Sequence, residues 1–183
     1  MGTNGSTMLE PLRQGLPPLD PAAVSSAASC ALPTRYEAVR EARRFTRSML
    51  GQWELSDRFD EVCLVVSELV TNALRHGLPL ALHHPADKGR RTGRHDPAPT
   101  APPHDAGPYI RLHLLYWTER LVCAVRDPSQ EGPVVSETDD FSAESGRGLF
   151  LVDSFSDSWG WHPLAGTLHG KVVWALFRLR PSG

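Results

Sequence analysis

The segment FDEVCLVVSELVTNALRHG, Phe59 to Gly77, limits what this chain can fold into more than any other. Phe59, Val62, Val66, Leu69 and Ala73 recur at steps of three and four, the spacing of one helical face. Ser56 or Asp57 offers a start, and Gly77 with Pro79 a stop. The spacing therefore predicts a helix with an apolar stripe that must be buried. Beside that stripe Glu68, Asn72 and His76 follow one another at intervals of four, so they project from one side as a polar row. A solvent-facing edge explains such a row by periodicity alone. Two features point instead to the wall of a pocket. Val65 and Leu69 flank the row, and Asn is a poor helix former that earns its place by binding something. A carboxylate here suits a general base toward a hydroxyl, and an amide oxygen suits Mg²⁺ beside phosphates. His76 can touch a phosphate or cap the helix C-terminus, where positive charge is favoured; capping is the preferred reading.

Composition sets the frame. In 183 residues, 40% are hydrophobic, enough for a single core, and the net charge of −2 points to neither nucleic acid nor membrane. No apolar run approaches the roughly 20 residues of a membrane span, and no basic-then-apolar leader is visible. Cys30, Cys63 and Cys123 are odd in number and scattered, which argues against a disulfide framework and for small core residues in a reducing cytoplasm. Residues 1–25, rich in Gly, Ser, Thr and Pro, read as a disordered tail. The expected domain is 26–181, a single unit carrying a Pro/His-rich insertion at 83–108.

Around the central helix the elements are periodic. TRYEAVREARRFTRSMLG opens with Thr34 and Glu37 at capping-box spacing. Ala38, Ala42, Phe45 and Met49 then step along one face until Gly51, with Arg40, Arg43, Arg44 and Arg47 on the other face as a solvated stripe. YIRLHLLYW and LVCAVRD predict a hairpin turning at Thr118–Arg120, and SWGWHP and KVVWALFRL a second one. This order predicts an α/β sandwich, with helices on one face of a mixed, mainly antiparallel sheet.

Downstream, ESGRGLFLV sets Gly146 and Gly148 around Arg147 at the start of a short helix. Glycines admit close approach to a ligand, a helix N-terminus attracts anions, and Arg suits phosphate. An ordinary tight turn is the plainer alternative. Asp127 ends a strand before Pro128. It reads equally as a turn-starting Asp and as a carboxylate facing a pocket, ready to accept from an exocyclic amine.

Taken together, Glu68-x-x-x-Asn72-Ala73, the strand ending in Asp127, and Gly146-Arg147-Gly148-Leu149 resemble the ATP-binding core of the GHKL superfamily. That superfamily includes DNA gyrase B, heat-shock chaperone ATPases and histidine kinases. VVSELVTNALRHG, SGRGLFLVD, GKVVW and REARRFTRSMLGQW are most similar to the anti-sigma-factor serine kinases and their actinobacterial relatives, over roughly residues 28–180 apart from the insertion. The resemblance implies a Bergerat-type fold that takes ATP and Mg²⁺. It implies Glu68 as general base, Asn72 as Mg²⁺ ligand and Asp127 on the adenine amine. Gly146, Arg147, Gly148 and Leu149 would stand at the phosphates with His76 nearby, and 128–145 would form a lid. It further implies a serine/threonine-protein kinase acting on a small antagonist protein, a sigma factor as partner in transcription regulation, and a homodimer as the common assembly. The alternative is a catalytically weak or inactive module of the same fold that works by partner docking. A sensor histidine kinase fragment is disfavoured, since no phospho-acceptor helix pair is seen.

Two departures stand out. The family's Asp-x-Gly-x-Gly is here Asp127-Pro128-Ser129-Gln130-Glu131, and a Gly-Thr near the last strand is here Gly170-Lys171. The remaining features are bland. His83, His84, His95 and His104 lack metal-ligand spacing, KGRRTGR lacks interleaved aromatics, and Trp159, Trp161 and Trp174 read as core or sheet-face residues.

Overall fold

A computed structural model describes residues 24–78, 110–133, 147–165 and 169–179. Most of the 1–25 tail, the 83–108 insertion with its histidines, Gly146 and most of the expected lid lie outside these residues. The elements run β1 (Ser26–Leu32), α1 (Glu37–Gln52), a 3-10 turn (Ser56–Arg58), α2 (Phe59–His76), β2 (Ile110–Trp117), β3 (Arg120–Asp127), α3 (Arg147–Phe155), β4 (Ser158–Pro163) and β5 (Lys171–Arg178). The strands form one sheet in the order β1-β2-β3-β5-β4. All four pairings are antiparallel, which bears out the α/β sandwich on a mainly antiparallel sheet; no parallel pairing joins the described strands.

Strand parity decides which residues face the helices. Leu112 and Leu114 of β2, Cys123 and Val125 of β3, and Val173, Ala175 and Phe177 of β5 point to the helical side and are buried there. They meet Val62, Val65, Val66, Leu69, Val70 and Ala73 of α2, each larger side chain worth roughly 1.5–3 kcal/mol on burial. The helix thus buries a broader face than the predicted stripe, and Phe59 is only half-buried. The far face carries a second cluster, Leu115, Trp117, Val122, Ala124, Val172, Trp174 and Leu176, with Leu164 and Val24 against it.

Local expectations fail in instructive places. The helix begins at Glu37 with Tyr36 as its cap and no side-chain cap bond, so the Thr34–Glu37 capping box is not formed. Gly51 lies inside the last turn rather than ending it, and Trp53 is the C-cap. β1, SAASCAL, was not legible as a strand because small residues hide its alternation; pairing with β2 makes it one. The Arg stripe is exposed, yet it also holds the helices together. Arg43 Nη1 donates to Ser67 Oγ at 3.2 Å, and the Arg47 guanidinium lies 4.3 Å from the Phe59 ring centroid. All three cysteines are free thiols, and burial pushes the Cys63 and Cys123 thiols up.

Candidate nucleotide site

Beneath the C-terminal half of α2 lies a cavity of about 260 Å³. Leu69, Asn72, Ala73 and His76 of α2 form one wall, and Leu149 of α3 closes one side. Val125 and Asp127 of β3 with Lys171 and Val173 of β5 form the floor, and Glu131, Gly132 and Pro133 the rim. The floor residues share the helical face because Asp127 stands two residues after Val125, and Lys171 two before Val173.

The polar row is half-buried at Glu68 and Asn72 and exposed at His76. Asn72 and His76 line the cavity; Glu68 stands beside it, against α3. A Cβ placed on Gly148 would sit 2.9 Å from Glu68 Oε2 and 3.4 Å from Asn72 Oδ1. The first turn of α3 therefore packs directly on the carboxylate and the amide, and only a glycine leaves both oxygens undisturbed. Burial raises the Glu68 carboxyl, with Arg75 pulling it back. Arg147 is exposed at the first position of α3. Gly148 and Leu149 are buried.

Asp127 is 2% exposed. Its carboxylate serves the turn and faces the cavity at once. Its Oδ1 accepts from Ser129 N at 2.9 Å, shaping the turn, and its side chain lines the cavity. The same Oδ1 accepts from Lys171 Nζ at 3.0 Å. Burial raises the Asp127 carboxyl, with Lys171 and the Ser129 N–H opposing. Two glycines make room for it. A Cβ on Gly77 would meet Asp127 Cγ and Ala73 O, each at 2.5 Å. Gly170, at φ +116°, brings the chain against the Asp127 carbonyl, where a Cβ would collide.

In the sequence Lys171 stands out as an ammonium where the resemblance leads one to expect a threonine hydroxyl, and no local signal announces its pairing with Asp127. Parity counted back from Val173 could have found it once the register was known. The tryptophans divide. Trp174 is buried on the far face, and Trp159 is half-buried, donating Nε1–H to Asp153 Oδ1 at 3.0 Å. Trp161 is a sheet-face residue of β4, 41% exposed with its ring against Gly132 at the rim.

These residues fit a purine nucleotide. Leu69, Val125, Leu149 and Val173 offer apolar surface to a planar ring, the buried Asp127–Lys171 pair offers polar contacts at one end, and Gly148 lets the first turn of α3 sit directly against Glu68 and Asn72. Among the described residues no three His, Cys, Asp or Glu side chains gather as a metal cage. A Mg²⁺ at Asn72 would therefore share its coordination with phosphate oxygens and water, as this ion commonly does. Among the described residues no helix is long and apolar enough to cross a membrane.

The sequence pattern of a family described as the histidine kinase-like ATPase domain matches residues 32–176. No curated protein matches the chain.

Proposed function

Because the chain belongs to the histidine kinase-like ATPase domain family, which implies nucleotide binding and a kinase-like role, we propose that it is an ATP-binding regulator of the anti-sigma-factor serine-kinase type. The observation that carries this reading is the packing of Gly148 on Glu68 and Asn72, beside a cavity whose floor ends in Asp127. Two segments far apart in the chain, the polar row and the glycine turn, meet at one mouth. Bound there, Mg-ATP supplies the phosphoryl group. Asp127 accepts from the base amine, Asn72 helps hold the cation, and Arg147 with the first turn of α3 faces the phosphates. Glu68 takes the proton from a serine hydroxyl of the antagonist protein. Its raised carboxyl is a stronger base than a solvated glutamate, which suits it to an alcohol. Sequestration of a sigma factor would use a surface outside this cavity.

Calorimetric titration with Mg-ATP tests the site, with Asn72→Ala beside the wild type. Saturable binding weakened by the substitution supports it. Phosphotransfer to the antagonist protein tests the activity; intact partner binding without transfer would refute the kinase reading.

A second reading, a docking module with a weak nucleotide site, is favoured by one observation: Lys171 already occupies Asp127 Oδ1. Calorimetry without any saturable heat in the wild type would support it.

A further inference from the structure

Lysine is almost never fully buried unless its charge is met. Lys171 is 3% exposed, stands directly opposite Asp127 in the β3–β5 register, and points into the cavity. Its charge is met, but its hydrogens are not. An ammonium has three donors, and among the described residues Lys171 makes one hydrogen bond, to Asp127 Oδ1. Asp127 shows the complementary gap. Its Oδ1 takes both Lys171 and Ser129, while its Oδ2 receives no donor from the described residues.

The floor of the cavity therefore presents a carboxylate oxygen and an ammonium side by side, neutral as a pair and held in place by the sheet. Such a pair matches a planar, uncharged edge with a donor next to an acceptor. An exocyclic amine beside a ring nitrogen lone pair, the 6-amino and N1 edge of adenine, has this pattern. A buried hydroxyl in place of Lys171 would offer one donor and no charge to the base.

We propose that Lys171 is a specificity-determining residue of the nucleotide site, donating to the ring N1 of adenine while Asp127 Oδ2 accepts from the 6-amino group. This rests on the ATP-binding reading above. It changes the meaning of the ion pair, which becomes a preformed reader of the base rather than a plug. The pair also keeps the buried Asp127 charge compensated when no ligand is present.

The ligand can be varied as well as the protein. Calorimetry on the full chain would compare Mg-ATP, Mg-1-deaza-ATP, whose ring position 1 is C–H but whose amine is intact, and Mg-GTP. Hydrogen bonds to charged groups contribute enough that wild type should prefer ATP over 1-deaza-ATP by roughly 10- to 100-fold. Lys171→Met should bind both equally, since the lost contact is the same one. Should Lys171→Met fail to fold because Asp127 is left uncompensated, the ligand series on the unaltered protein still decides. ATP and 1-deaza-ATP binding wild type equally well would overturn the proposal while leaving ATP binding intact. Tighter binding of GTP than ATP would overturn it too, since the pair would then read a 6-oxo edge with reversed roles. Undiminished preference for ATP in a folded Lys171→Met would do the same. Absence of binding by any of the three nucleotides would overturn both this proposal and the ATP-binding reading beneath it.

Discussion

Gly148→Ala probes the meeting of the two motifs. The added Cβ would stand 2.9 Å from Glu68 Oε2 and 3.4 Å from Asn72 Oδ1, so one contact must open by about half an ångström and the other is already close. Glu68 Oε2 is the far end of a flexible side chain, and swinging it off its rotamer costs about 0.5–1.5 kcal/mol. Replacing a glycine in the first turn of a helix returns at most the about 0.5–1 kcal/mol of a helix interior. The two nearly cancel, and the melting temperature should stay within about 4 °C of wild type, given roughly 2–4 °C per kcal/mol in a chain of this size. Function should not be spared. A displacement of about 1 Å at a reacting group can cost on the order of 100-fold in rate, and crowding of the Asn72 amide should weaken Mg-ATP binding. Gly51→Ala is the control. It lies in the last turn of α1 with nothing within 4 Å of its Cβ, and should raise the melting temperature without changing affinity. Thermal unfolding and calorimetry on both variants make the test. A fall of more than about 10 °C for Gly148→Ala would show that Glu68 cannot move aside. Unchanged Mg-ATP affinity would show that the α2–α3 contact is not part of the site.

Two further outcomes follow from buried charge. Glu68→Gln removes a carboxylate whose ionised form burial disfavours, so at neutral pH the variant should be at least as stable as wild type. That advantage should shrink as acid protonates Glu68, while phosphotransfer falls about 10²–10⁴-fold; a clearly lower melting temperature at pH 7 would contradict the raised carboxyl. His113, on the far sheet face, is lowered to about 4 by burial and by Arg111 and Arg126. A depressed histidine contributes stability above its unfolded pKa of 6.5 that is lost as pH falls through the folded value. Relative to His113→Gln, wild type should therefore lose up to roughly 3 kcal/mol between pH 6.5 and 4. Urea unfolding across that window measures it, and a flat difference would show that the imidazole is not desolvated.

By itself the sequence determined what a short window can encode. The apolar stripe of α2 and its polar row, the hairpin expected to turn at Thr118–Arg120 (Arg120 itself opens β3), and the helix beginning at Arg147 all express local periodicity, which survives into the fold because neighbours along the chain dictate it. The family resemblance likewise rested on short motifs within such windows. Window-level reasoning failed where the partner is distant. The Thr34–Glu37 spacing is that of a capping box, yet the helix starts three residues later. SAASCAL becomes a strand only beside β2. Asp127 and Lys171 are separated by 43 intervening residues and become opposite neighbours only through the β3–β5 register. Whether a lysine before VVWALF is a solvated strand end or a buried ammonium in a cavity depends on that register, on Gly170 turning the chain against Asp127, and on α2 covering both. Hydrogen-bonded register and burial are properties of the assembled sheet, so tertiary structure alone decided how the polar floor of this cavity is built.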